Sequence, residues 1–166
     1  MNGWAAERAQ SFIFEGDCRQ RLGQGVDLVA GCYTQAFFIE PRRREPLIKL
    51  SQLAQAHVKN QASLSFAIAA LAIPQTDGFY MDSAPDYRDV PHHLAYVALY
   101  WLGRKAEAKE HWEKCMEYAP YNIKYHKDGQ FFVDLPIVQV IIPTLGRPEG
   151  LKRCLDSIEK LNYPKD

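Results

Sequence analysis

A chain of 166 residues carrying 20 basic and 20 acidic side chains has no net formal charge at pH 7, so it presents no basic field to draw it onto nucleic acid or an acidic membrane. Its length holds one ordinary domain or a short repeat array, and 12% aromatic residues can fill a substantial core. No run approaches the roughly 18 apolar residues that cross a bilayer, and the opening MNGWAAERAQ lacks the basic-then-apolar order of a secretion signal. Cys18, Cys32, Cys115 and Cys154 form no CxxC pair and no zinc spacing. Thiols at apolar helical positions act as small hydrophobes, so the expected compartment is reducing and cytoplasmic.

The first predicted helix pair starts near Trp4, turns near Leu22-Gly23 and ends at Pro41. Arg42-Arg43-Arg44 follows and reads as a solvated linker, with an acidic partner as the alternative. The second pair runs from Glu45 to Pro74, with Pro46 in a first helical turn where its missing N–H is no loss. Leu47, Leu50, Ala54 and Val58 make its first apolar stripe; Ala62, Phe66 and Ala69 make its second. QTDGFYMDSAPDYRDV then reads as a loop from its Gly, Pro and Asp content. The third pair opens at Pro91 and carries Leu94, Val97, Ala98, Trp101 and Leu102 at helical spacing. Gly103 closes that helix in the left-handed conformation glycine tolerates. The partner helix buries Ala108, Trp112, Cys115 and Ala119, with Glu110 and Lys114 as an i,i+4 pair outside. KYHKDGQFF, after Pro120, reads as a short capping helix or an extended linker.

All three pairs end alike. Five residues before Pro41, Pro74 and Pro120 stand Ala36, Ala69 and Cys115; eight before stand Tyr33, Phe66 and Trp112; twelve before stand Val29, Ala62 and Ala108. Those offsets share one helical face, so one helix type is written three times. The Leu-Gly, Ala, aromatic and Pro pattern over roughly residues 10 to 120 resembles the tetratricopeptide repeat. The resemblance implies helix pairs stacked into a right-handed superhelix with a concave groove, because one pair alone cannot bury its apolar stripe.

The period changes at Leu135. Ile137 to Ile142 is nearly continuous and β-branched, which predicts a buried strand. Thr144-Leu145-Gly146-Arg147-Pro148 predicts a tight loop. Leu151, Cys154, Leu155, Ile158 and Leu161 predict a helix with Lys152, Arg153, Asp156, Glu159 and Lys160 on its other side. Such a β-loop-α unit opens parallel α/β domains, and a ligand there meets the helix amides and the Arg147 charge, which favours an anion. VQVIIPTLGRPEGLKRCLDSIEKLNYP is similar to the first strand, loop and helix of a family 2 glycosyltransferase of the GT-A type. By that resemblance Pro143, Thr144, Leu145 and Arg147 would bind a nucleotide sugar. The family's metal-binding and catalytic carboxylates would lie beyond Asp166, as would its divalent Mg or Mn.

The expected fold is therefore mainly α: about three tetratricopeptide-like helix pairs over residues 1–134, then a single strand and helix of an incomplete GT-A domain over residues 135–166. The expected role is part of an enzyme transferring a sugar from a nucleotide-sugar donor. In that reading the repeats position acceptor or partner, and the chain alone is inactive and holds no cofactor. The alternative is a repeat scaffold that binds a protein or peptide in its groove. Neither nucleic acid nor a membrane span is expected. His92-His93 makes a poor chelating pair, since adjacent helical residues point about 100° apart, and hydrogen bonding at the helix start or groove lining is preferred. Asp82, Asp86 and Asp89 lack an EF-hand's glycine and terminal glutamate and read as a solvated loop. Trp101 and Trp112 read as packing residues rather than a sugar platform, and Glu15 and Asp17 as helix surface.

Overall fold

The computed structural model describes residues 3–75, 83–132, 142 and 146–160. The chain divides into two compact units, Met1–Val133 and Asp134–Asp166. The first unit is helical. Helices α1 (Gly3–Arg21) and α2 (Val26–Ile39) pair, as do α3 (Glu45–Ala56) with α4 (Asn60–Ala72) and α5 (Asp89–Trp101) with α6 (Lys105–Tyr118). A 3-10 turn over Ala84–Tyr87 precedes α5, and α7 (Ile123–Asp128) runs into a second one, Gly129–Phe131. The two readings of KYHKDGQFF thus resolve into a short helix.

The first helix of each pair ends the same way. The chain reverses through a left-handed residue: Gly23 at φ +66°, Val58 at φ +56° and Gly103 at φ +78°. The hydrogen bonds match too. Gly23 N–H donates to Gln20 O and Gln24 N–H to Arg19 O; Val58 and Lys59 repeat this onto Gln55 and Ala54, and Gly103 and Arg104 onto Tyr100 and Leu99. This paired pattern satisfies carbonyls that a helix end leaves orphaned. The middle copy makes it with a β-branched residue, where the conformation is strained. Val58 is 79% exposed and belongs to the turn, not to the apolar stripe expected of it.

The stacked second helices bury Val29, Tyr33 and Ala36 in α2 and Ala108 and Cys115 in α6, with Trp112 half-buried. In α4 the buried positions are Ser63, Leu64, Ala67 and Ala70; Ser63, Ala67 and Ala70 stand one residue beyond the expected Ala62, Phe66 and Ala69. Ala69 is exposed, and Ala62 and Phe66 are half-buried. The middle repeat is one residue shorter between this stripe and its proline, so counting back from Pro74 lands on the wrong face. Ser63 tolerates full burial because the Ser51 hydroxyl, also buried, lies 3.0 Å from its own and donates to its carbonyl at 2.8 Å.

One core runs from α2 to Phe132, and a smaller cluster of Ala9, Ile13 and Ala36 holds α1 onto α2. Helix α5 packs on α3, α4 and α6. Leu94, Ala95, Tyr96, Ala98 and Leu99 are therefore all buried, more than the single stripe foreseen. Trp101, expected inside, is 68% exposed at the end of that helix. On α6, Lys114 bonds Glu117 at 2.9 and 3.1 Å rather than the expected Glu110.

The arginine run is no solvated linker. Arg42 alone is exposed; Arg43 is 1% and Arg44 8% exposed. Arg43 donates to Gln10 Oε1 at 2.7 Å and Ala6 O at 3.3 Å and pairs with Glu45, which fastens α1 to α3. Arg44 donates Nε–H to Ile73 O at 2.6 Å and reaches Leu71 O, closing the end of α4. Its guanidinium also lies 4.8 Å over the Tyr87 ring.

In the second unit, α8 (Pro148–Glu159) forms where the periodicity placed a helix, with Leu151, Cys154 and Ile158 half-buried and the charged side chains outside. Among the described residues no strand occurs. Of the expected strand Ile137–Ile142 only Ile142 is described, and it lies in neither helix nor strand.

Candidate functional site

Much of the polar surface between helix pairs is already committed. Asp17 accepts from the Tyr33 hydroxyl at 2.8 Å and from Lys49 Nζ at 2.9 and 3.0 Å, so the first two pairs share one carboxylate. Asp17 thus has a structural task that its reading as plain helix surface missed, and Lys49 has its charge matched.

The far end of the array is built from aromatic rings hung on two carboxylates. Tyr96 donates its hydroxyl to Asp128 Oδ2 at 2.6 Å, and Tyr125 donates to Asp89 Oδ2 at 2.7 Å. Trp112 Nε1–H donates to Tyr125 O at 2.8 Å, and its ring stacks on Phe132 with centroids 5.4 Å apart. Gly129 makes that stack possible, because a Cβ there would stand 2.9 Å from Trp112 Cζ2. Trp112 is the packing residue its spacing suggested.

These contacts leave an open hollow of about 230 Å³ between α5 and the Gly129–Phe131 turn. Tyr96, Tyr100, Trp101, Phe131 and Phe132 wall it together with Val97, and Asp128 is its acidic member. Tyr100 meets Trp101 edge-on at 5.8 Å, Phe131 at 5.4 Å and Phe132 edge-on at 6.2 Å. Trp101 and Phe131, at 68% and 48% exposure, offer apolar surface to solvent. Lys105 Nζ stands 5.9 Å from the Tyr100 ring centre. A second hollow of about 260 Å³ lies among α2, α3 and α4, with Val26, Ala30, Leu53 and Phe66 inside it. Asp27, His57 and Lys59 give that one a rim of mixed sign.

The two histidines lie beside the aromatic end. His92 Nδ1 is 2.9 Å from His111 Nδ1, and His93 Nε2 accepts from Lys124 Nζ at 2.9 Å. Burial pushes both rings down to about 4, helped for His92 by His111 and for His93 by the Lys124 charge. They are hydrogen-bonding groups that tie α5 to α6 and to α7. Among the described residues no three His, Cys, Asp or Glu side chains could hold a metal. Burial pushes the Cys115 thiol up to about 12, which makes it a core group and not a nucleophile.

Of the residues expected to bind a nucleotide sugar, Arg147 alone falls within the described residues. Pro143, Thr144 and Leu145 lie outside them, as does Asp82. Arg147 is exposed and immediately precedes α8. Sequence reasoning missed Phe131, Phe132 and Asp128 as wall residues, because KYHKDGQFF matches no binding motif.

The first unit has a tetratricopeptide-like fold. Over 76% of this chain and 94% of the other, with 16% identity and a TM-score of 0.64, it is similar to a solved structure described as the first TPR of Spaghetti (RPAP3) bound to HSP90 peptide SRMEEVD. At that identity the likeness shows the fold alone. No protein-family model and no curated protein matches the chain. No helix among the described residues is long and apolar enough to cross a membrane.

Proposed function

We propose that the chain is a helical-repeat scaffold that binds an extended peptide segment of a partner protein. The observation that carries this reading is the solvent-open aromatic hollow between α5 and the Gly129–Phe131 turn. Exposed Trp101 and Phe131 give a short segment large, rigid contact area at low entropic cost. The solved neighbour, which shares the fold, holds a peptide. Panning a random peptide library against the protein tests the reading. Recovery of one shared motif that Trp101→Ala no longer retains is expected; recovery of nothing, or of motifs indifferent to that change, contradicts it.

A second reading keeps the sugar-transfer role, with Pro143, Thr144, Leu145 and Arg147 at a nucleotide-sugar site. It rests on the sequence resemblance and on one observation, the helix α8 starting just after an exposed Arg147. In it the divalent metal and the catalytic carboxylates belong to a longer enzyme, and the repeats position its acceptor. Titration of UDP and GDP with Mn²⁺, into this chain and into one extended by a further domain, tests it; binding by neither removes it. Free cysteines suit a cytoplasmic setting for either role.

A further inference from the structure

We infer that the aromatic hollow at α5 receives an arginine side chain of the bound peptide. The inference rests on the scaffold reading and names the chemistry of its ligand. An apolar side chain would satisfy the rings but would cover the half-buried Asp128 carboxylate with only the Tyr96 hydroxyl to offset its charge, and a desolvated charge without an opposite one is costly. The hollow therefore asks for a cation. Among the described residues Tyr96 holds Asp128 through Oδ2, at 2.6 Å, which fixes the carboxylate and leaves Oδ1 for a donor. A quaternary ammonium could stack on the rings but could not donate to that oxygen. A lysine could donate but has no planar face to lay on Trp101 or Phe131. A guanidinium does both, because it is flat, weakly hydrated and carries N–H donors along its edge. The Tyr100 ring already faces a cation from this chain, Lys105 at 5.9 Å, so the wall accepts positive charge. Lys105 does not wall the hollow, but its charge beside Tyr100 repels a bound guanidinium, so removing it should tighten binding.

The test uses pools of nine-residue peptides, degenerate except for a fixed central residue: arginine, citrulline, lysine, trimethyllysine, leucine or glutamate. Binding is read by fluorescence anisotropy on the intact chain. The arginine pool is expected to bind about tenfold better than the citrulline pool, which has the same shape without the charge. Asp128→Asn keeps an acceptor for the Tyr96 hydroxyl, so the end of the array still folds. It should bring arginine down to the citrulline level and leave citrulline unchanged. Lys105→Ala should raise arginine binding. Leucine or citrulline binding as well as arginine, or trimethyllysine binding better, would overturn the inference and leave the scaffold reading standing. Binding of no pool would overturn both.

Discussion

Val58 is the residue where local chemistry and fold disagree most openly. Its two counterparts are glycines, and its side chain is 79% exposed at φ +56°. A β-branched side chain in the left-handed region costs on the order of 1 kcal/mol or more, and glycine removes that cost. Val58→Gly is therefore expected to stabilise the protein by about 1 kcal/mol, read as a higher urea midpoint at unchanged slope. A lower midpoint would mean that the side chain contributes packing its exposure does not show. The same position shows what sequence could and could not reveal about single residues. Gly103 announced its turn because glycine is rare inside an amphipathic helix. Val58 looked like one more apolar stripe member, since hydropathy carries no record of φ. Arg43 and Arg44 misled for a related reason. Three arginines in a row look solvated, and only the fold supplies Gln10, Glu45 and the Ile73 carbonyl that make burial tolerable.

At the level of elements, periodicity was a good guide to existence and a weaker one to register. All three pairs and α8 stand where the 3.6-residue period placed them, because amphipathic spacing is what helix packing reads. The face of α4 was misplaced by one residue, since alanine and serine are small enough to fill either position and the anchoring proline had shifted. The seams between helices carry a pH dependence of their own. His92 and His93, between α5 and its neighbours, are held down to about 4 from an ordinary 6.5. An unfolded chain therefore binds more protons than the native one between those values. Their contribution is complete above about pH 6.5 and is lost as the pH falls toward 4. Glu45, pushed up by burial despite Arg43, works in the opposite sense and offsets part of this. Lowering the pH from 7 to 5 should cost on the order of 1 kcal/mol per histidine after solvent screening. His93→Gln, which can still accept from Lys124, should lose correspondingly less in paired urea titrations. An equal loss in both proteins would show that the ring's burial is not the source.

For the whole molecule, the array was legible because repetition multiplies a weak signal: three copies of one spacing say more than any copy alone. The candidate site was not legible. It is made where α5 meets a turn some thirty residues downstream, and its walls use Trp101, read as core, with Phe131 and Asp128, which stood out in no motif. A binding surface assembled across a fold leaves no local pattern, whereas the loop around Arg147 did leave one and drew the first functional reading toward sugar transfer. The central claim is that a peptide segment is held at the aromatic end of the repeats. Amide hydrogen exchange with and without a peptide recovered from the library tests it most directly. Slowed exchange concentrated in the end of α5 and in residues 123–132, and abolished by Trp101→Ala, is the predicted result. Slowed exchange confined to α8 and its preceding loop would contradict the account and return the function to the second unit.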